Sequence, residues 1–314
     1  EAAKFSGADT IKFQTFKSES LSDSSAPLAN YQKNNNLYKS QIEMLRSLEL
    51  SDDETRKIVK ACKDVDIEFM SSPFGVDELY FLTNLGMKTI KIPSGEITNL
   101  SLLKETKNIS LKNNAKILMS TGMSNLGDIE NALSILDFQL IKEKITILHC
   151  VSCYPAPSNE LNLLALKTLQ NSFNCKVGYS DHSKNIIAPI VSIALGSSVI
   201  EKHLTLDNDL PGPDHKASIN PKVFKEMVNN IREAERMLGN GIKVAQESEL
   251  DTKFVARRSI RASRFIKKGS KISEEDLVFK RPGDGLSPME VEKIIGSISS
   301  KDYKYGELIF DISI

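Results

Sequence analysis

The sequence predicts an α/β protein built as a (β/α)8 barrel, followed by a small β-rich domain. Short runs rich in β-branched and aromatic residues recur along the first 206 residues, and amphipathic helical stretches separate most of them. Alternation of strands and helices at roughly 25–30 residues is typical of parallel β/α units. After residue 240 the pattern changes to short strands and glycine turns, which predicts the separate domain.

Seven strands are predicted in the first part of the chain: residues 9–15, 67–74, 88–94, 115–121, 145–150, 176–182 and 198–206. An eighth strand is expected before residue 1, because the chain opens inside a helical pattern that leads into a strand. Eight such units form a closed barrel of roughly 250 residues. An open doubly wound sheet is the alternative, but the chain has no Gly-x-Gly-x-x-Gly motif that would support its dinucleotide-binding form.

The helices carry their own signals for beginning and ending. Ser51, with Glu54 three residues later, predicts the beginning of a helix over 51–64. Gly239 predicts the end of the last barrel helix. We therefore predict a barrel domain at 1–240, a polar linker at 241–256 and a small β-rich domain at 257–314.

Composition limits the classes of partner. Lys plus Arg and Asp plus Glu both number 41, so the net charge is zero and no global field attracts nucleic acid or an anionic membrane. No apolar run approaches the roughly 20 residues of a membrane span. The four cysteines are few and irregularly spaced, which is typical of a reducing compartment. We expect a cytoplasmic protein that binds neither nucleic acid nor membrane.

The ends of the predicted strands carry side chains that can bind an anion or a metal ion, and in such barrels function gathers at those ends. They are Lys12, Gln14, Ser71, Ser72, Lys91, Ser94, Ser120, Thr121, His149, Ser180, His182, Lys202 and His203, with Glu96 in a following loop. Lys12 and Lys91 lie between apolar residues, where a lysine is unusual without a partner. Each serine could cap a helix, but together the serines and lysines predict a phosphate or carboxylate site.

His182 and His203 end consecutive predicted strands, which are neighbours in a parallel barrel. Their imidazoles can therefore converge on one divalent ion. Two neutral nitrogen ligands without a close cysteine or carboxylate predict an open site for Mn, Fe, Co or Zn, with positions left for water and substrate.

A longer pattern runs from residue 7 to about 288. Its segments are GADTIKFQTF, YQKN, EMLRSLELS, SSPF, KIPSGEITN, STGM, LHCVSCYPAP, VGYSDHS, EKHLTLD, GPDHKAS and RPGDGLSP. In these segments and their order the sequence resembles the bacterial sialic acid synthases, the nonulosonic acid synthases that condense phosphoenolpyruvate with an N-acetylated amino sugar.

The resemblance implies a catalytic (β/α)8 barrel and a C-terminal antifreeze-like (SAF) domain that is exchanged in an intertwined homodimer. It implies that His182 and His203 bind a divalent metal, usually Mn²⁺, with Mg²⁺ or Co²⁺ as alternatives. It also assigns further residues. They are Lys12, Ser72, Lys91, Ser94, Ser120, Ser152 and Ser180 for phosphoenolpyruvate, Gln14, Tyr154, Asp214 and the partner's Arg281 for the sugar, and Glu96 as a catalytic carboxylate.

The sequence departs from the family at one point. The family's first strand normally carries EIGxNHxG, whose Glu lies at the active centre, and this motif is absent from the sequence. Two other functions stay open: a metal-dependent aldolase on the same barrel, and a non-catalytic truncated homologue. The GPDHKAS segment favours the sialic and legionaminic branches over the pseudaminic branch.

Overall fold

The computed structural model describes residues 1–28, 38–310 and 312–313, so the YQKN segment at 31–34 lies outside the described residues. The chain divides into two units, Glu1–Gly239 and Asn240–Ile314. Each unit has an apolar core of its own.

The first unit is ordered by parallel strands that follow the predicted sequence positions to within a few residues. They are β1 (Thr10–Thr15), β2 (Glu68–Pro73), β3 (Thr89–Ile92), β4 (Lys116–Ser120), β5 (Ile145–Cys150), β6 (Lys176–Asp181) and β7 (Ser197–Lys202). The hydrogen-bonded orders are β1-β2 and β3-β4-β5-β6-β7, all parallel, and β2 lies against β3. This is an α/β arrangement of the TIM-barrel type, as predicted.

Helices connect these strands. They are α1 (Ala2–Phe5), α2 (Ser18–Leu21), α3 (Gln41–Leu48), α4 (Asp52–Asp64), α5 (Val76–Asn84), α6 (Leu100–Asn113), α7 (Leu126–Ile135), α8 (Phe138–Ile141), α9 (Ala165–Phe173), α10 (Ile187–Ala194) and α11 (Pro221–Leu238). The predicted signals are confirmed: Ser51 and Glu54 form a capping box at α4, and Gly239 ends α11 with a φ of +60°. Among the described residues, no helix is both long and apolar enough to cross a membrane.

One helix begins later than the sequence pattern predicts. The amphipathic pattern of residues 159–170 predicts a helix, but the segment begins within the 3₁₀ turn Ser158–Glu160, and α9 starts only at Ala165. Asn162 lies between them with a φ of +44°, in the left-handed region where an α-helix cannot continue.

The core of the first unit lies between the strands and the helices. Ile92, Ile117 and Ile147 come from three neighbouring strands and are fully buried against Leu133 of α7 and Leu166 of α9. Because alternate residues of a strand face opposite sides of the sheet, this packing leaves the residues next to the isoleucines on the inner face.

The second unit is a small β-rich fold. Its strands are β8 (Ser259–Ala262) paired antiparallel with β9 (Leu277–Lys280), and β10 (Ile298–Ser299) paired antiparallel with β11 (Ile312–Ser313). Its core includes Ile260, Ile294 and the fully buried Tyr303. The stretch 241–256, predicted as a polar linker, contains the helix α12 (Leu250–Ala256). A capping box between Gln246 and Glu249 precedes this helix and starts it locally.

Candidate active site

The alternation of side chains along each strand separates the predicted rim residues into two groups. Lys91 donates a hydrogen bond to Ser120 Oγ at 2.7 Å, and Ser180 donates to Glu201 Oε1 at 3.0 Å, so these residues share the inner face. Four others bond elsewhere: Ser71 with Thr15, Thr121 with the Leu148 carbonyl, His149 with the Leu161 carbonyl, and Lys202 with Asp181. Each of these four strand-end side chains thus has a protein partner away from the Lys91–Glu201 cluster.

Glu201 of β7 is the centre of the inner face, and it is not among the residues predicted from the sequence. Lys12 Nζ lies 3.1 Å from its Oε1, and Lys91 Nζ lies 3.7 Å from its Oε2. The Lys12 contact joins β1 to β7, the first and last described strands of this unit. The signal that could have found Glu201 is its position two residues before His203, because residues i and i+2 of a strand face the same side.

Burial and charge shift the pKa values of two groups in this cluster, Lys91 and Glu201. Burial lowers the pKa of the Lys91 ammonium to about 8, although the Glu201 carboxylate opposes this. Burial alone would raise the pKa of Glu201, but the charges of Lys12 and Lys91 outweigh it and hold that pKa well below its usual range. Two cations therefore share one carboxylate, and their spare charge can attract a phosphate or carboxylate.

A second set of polar groups surrounds Gly122. Gly122 N donates to Ser94 Oγ at 3.0 Å, and Ser94 Oγ lies 3.1 Å from Cys150 Sγ. A Cβ at position 122 would lie 2.1 Å from Ser152 Oγ and 2.9 Å from both Ser94 Oγ and Cys150 Sγ. A side chain at position 122 would displace these groups, so the glycine leaves the Ser94 and Ser152 hydroxyls room to converge.

Ser72 and Gln14 lie opposite each other in the register of β1 and β2. Ser72 is fully buried, and its hydroxyl has no hydrogen-bond partner among the residues that the structure describes. A buried hydroxyl without a protein partner costs stability, and near the end of β2 the Ser72 hydroxyl is available to a bound ligand.

The two histidines lie side by side, with their ring centroids 5.5 Å apart and their planes at 78°. His182 Nδ1 lies 2.6 Å from the Val151 carbonyl. Because a carbonyl only accepts, Nδ1 carries the proton, and Nε2 keeps its lone pair. Burial lowers the pKa of both rings, that of His203 to about 3, so both are neutral at pH 7.

This donor set fits a divalent metal ion. A metal-binding histidine usually donates its other ring N–H to a carbonyl or carboxylate, as His182 does. No cluster of three or more His, Cys, Asp or Glu suited to a metal occurs in the described part of the chain. The two neutral imidazoles, with the Nδ1–H of His182 bonded to a carbonyl, fit an open site with two nitrogen ligands and positions for water and substrate.

The predicted sugar contacts lie in different places. The centroid of the Tyr154 ring lies 4.2 Å from that of His182 and 5.6 Å from that of His203. Asp214 Oδ2 lies 3.8 Å from His203 Nδ1. Arg281 belongs to the second unit, where it is exposed just after β9. Glu96, which was predicted as a catalytic carboxylate and not as a sugar contact, lies in the 3₁₀ turn after β3 and accepts a hydrogen bond from Asn99 at 2.7 Å.

Known proteins are similar to this chain in sequence. The family model described as the NeuB family matches residues 1–243, and the SAF domain matches residues 257–311. The N,N'-diacetyllegionaminic acid synthase of Campylobacter jejuni is 44% identical over 98% of this chain and 92% of its own length. A pseudaminic acid synthase of the same species is 32% identical over 98% of this chain and 89% of its own.

A solved structure is also similar to this chain. The N-acetylneuraminic acid (sialic acid) synthetase of Leptospira borgpetersenii superposes with a TM-score of 0.68 at 30% identity, over 80% of this chain and 81% of that one. Both the barrel and the SAF domain are thus matched along the sequence. The chain belongs to the NeuB family, the sialic acid synthases that condense phosphoenolpyruvate with an amino sugar.

Proposed function

We propose that this chain condenses phosphoenolpyruvate with the 2,4-diacetamido-6-deoxy analogue of N-acetylmannosamine and so makes N,N'-diacetyllegionaminic acid. The 44% identity to the legionaminic synthase of Campylobacter jejuni exceeds the 32% identity to the pseudaminic synthase of the same species. One observation carries the reaction type. Glu201 of β7 contacts both lysines, and His203, which follows β7, belongs to the histidine pair, so the lysine cluster and the histidine pair lie side by side.

The anion half of the site would hold phosphoenolpyruvate. Lys12 and Lys91 supply charge, and their shared partner Glu201 keeps both ammonium groups on the inner face. The hydroxyls are added from several strands and loops: Ser72, Ser94, Ser120, Ser152 and Ser180. Fixed donors of this kind hold the phosphate and carboxylate groups in place, so that positioning and charge complementarity lower the barrier.

His182 and His203 would hold the metal, for which we propose Mn²⁺. A bound divalent ion supplies Lewis-acid polarisation of the sugar aldehyde. Around it, the Tyr154 ring covers His182, and Asp214 lies beside His203, where both can orient the sugar. Gln14, the exposed residue next to the last in β1, would contact the same substrate.

The reaction balances with these groups alone. C3 of phosphoenolpyruvate forms a bond to the aldehyde carbon, whose oxygen takes a proton. Water then adds to C2: one of its protons passes by way of a carboxylate to the sugar oxygen, the other leaves with phosphate, and C–O cleavage gives a nine-carbon 2-keto acid. We propose Glu96 as the carboxylate that positions the water, since the ion pairs of Glu201 keep that group unprotonated as a partner of the lysines.

The proposed function predicts a preference between two sugars. With Mn²⁺ and phosphoenolpyruvate, we expect release of inorganic phosphate with the diacetamido sugar at a kcat/KM at least about tenfold above that with N-acetylmannosamine. One polar contact to the extra acetamido group accounts for such a factor. A phosphate-release assay with each sugar measures it. Condensation without phosphoenolpyruvate would favour an aldolase, and no turnover with either sugar would favour a non-catalytic homologue.

We further propose that the catalytic unit is a cytoplasmic homodimer in which Arg281 of the SAF domain serves the partner's barrel. Arg281→Ala should lower kcat/KM for the sugar about 10- to 150-fold, as expected for the loss of one hydrogen bond from a charged group. The KM for phosphoenolpyruvate should change little. Lys280→Ala is the matched control, because Lys280 donates to Tyr305 of its own unit at 2.8 Å.

Subunit mixing tests the exchange itself. Combining Arg281→Ala with His182→Ala protein should restore part of the activity, because one barrel of each heterodimer then has both its histidines and its partner's arginine. Mixed dimers that exchange subunits but stay inactive would contradict the proposal.

A further inference from the structure

We infer that the buried ion pair Asp181–Lys202 is a positioning device that holds the two metal-binding histidines in their relative places. Asp181 directly precedes His182, Lys202 directly precedes His203, and Asp181 and Lys202 are partners in the register of β6 and β7. The Lys202 and Asp181 side chains are 1% and 0% exposed, with Nζ 2.5 Å from Oδ2. The inference rests on the proposed metal site.

Lys202 fastens the loop that begins with His182 to the end of β7. Besides Asp181, its ammonium group donates to the Ser183 carbonyl and, at 3.1 Å, to the Asn185 carbonyl. An ammonium group has three donors, so all three are used. The backbone on the far side of His182 is thus tied to the residue that precedes His203.

Asp181 completes the connection from its other oxygen. Asp181 Oδ1 accepts from Ser183 N at 2.8 Å and from the Tyr179 hydroxyl at 3.0 Å. Tyr179 is itself buried in β6. The loop after His182 is therefore held by both charges of the pair, and each charge is fully bonded.

A contribution to stability alone does not account for this pair. Removing two charges from water costs about as much as their attraction returns, and apolar replacements of buried ion pairs are often neutral or stabilising. What the pair supplies is a fixed geometry, because a satisfied buried network admits one arrangement of the strand ends. That geometry is the one in which the two imidazoles lie with their centroids 5.5 Å apart.

The test measures binding of Mn²⁺ alone by isothermal titration calorimetry. The main variant is Asp181→Asn/Lys202→Met, which removes both charges together and so avoids a lone buried ion that could unfold the protein. We expect its Kd for Mn²⁺ to rise about 10- to 100-fold, the usual effect of losing a group that orients metal ligands. Raising the Mn²⁺ concentration should restore its kcat, whereas His182→Ala should not recover.

Leu166→Ala serves as the stability control, because Leu166 of α9 is fully buried in the core between the strands and the helices. It should lower the melting temperature without changing the Kd. The inference is overturned if the double variant binds Mn²⁺ as tightly as the wild type while His182→Ala loses binding. If the wild type and His182→Ala bind Mn²⁺ equally, the proposed metal site itself fails and the inference falls with it.

Discussion

Replacing His182 by Ala is expected to abolish Mn²⁺ binding and to lower kcat by about a thousandfold. Lewis-acid stabilisation of a developing charge is worth several kcal/mol, and each 1.36 kcal/mol corresponds to a factor of ten in rate. His203 is the other imidazole of the pair, so a metal ion held by this pair would lose one of its two nitrogen ligands. Calorimetry with Mn²⁺ and a phosphate-release assay measure the two effects.

His149→Ala is the matched control for loss of an imidazole. His149 lies one strand earlier, and its Nε2 lies 2.8 Å from the Leu161 carbonyl, on the side away from the histidine pair. This variant should keep its affinity for Mn²⁺. Chelation by EDTA should reproduce the His182→Ala defect in the wild type, and Mn²⁺ should reverse it. Full activity of His182→Ala in chelator would show that the reaction needs no metal at this pair.

Most of the fold could be predicted from the sequence because its strands and helices carry strong local signals. The capping box at Ser51 and the glycine at 239 mark helix ends that the structure reproduces. Asn162 shows where local signals fail. The residues around it suit a helix, but a single residue in the left-handed region delays the helix to Ala165. Nothing in the pattern of apolar residues specifies that backbone conformation.

The candidate site could be predicted only in part, because the strand ends alone do not show which face of the sheet each side chain occupies. Reading only the strand ends finds His182 and His203, but it also selects Lys202, which faces the opposite side and pairs with Asp181. Applying the two-residue period of β7 would have replaced Lys202 by Glu201. The contact of Ser94 with the Gly122 amide lies beyond such rules, because it joins two loops that are distant in the sequence.

Lys91→Met is expected to lower kcat/KM for phosphoenolpyruvate about 10- to 150-fold without destabilising the protein. Losing one buried charge-assisted contact costs about 1.5–3 kcal/mol of transition-state binding. Lys91 is only 2% exposed, and Met fills a similar volume without a charge to desolvate. Glu201 keeps its contacts with Lys12 and Ser180, so it is not left unpaired.

The effect of this variant on stability follows from the direction of the pKa shift. Folding lowers the pKa of Lys91 from 10.5 to about 8, so between these values the unfolded chain binds more protons and stability rises with pH. Below pH 8 the buried charge is a constant cost to folding. Lys91→Met removes that cost, so its melting temperature at pH 7 should equal or exceed that of the wild type.

The pH profile distinguishes a charge that binds substrate from a lysine that merely packs. In the wild type, kcat/KM for phosphoenolpyruvate should fall as the pH rises through about 8, because Lys91 then loses the charge that attracts the anion. Lys91→Met should lack this fall. Lys88→Met, at the exposed residue just before β3, should retain both the wild-type rate and the wild-type profile. An unchanged kcat/KM in Lys91→Met, or an alkaline fall that persists in it, would show that another group holds phosphoenolpyruvate.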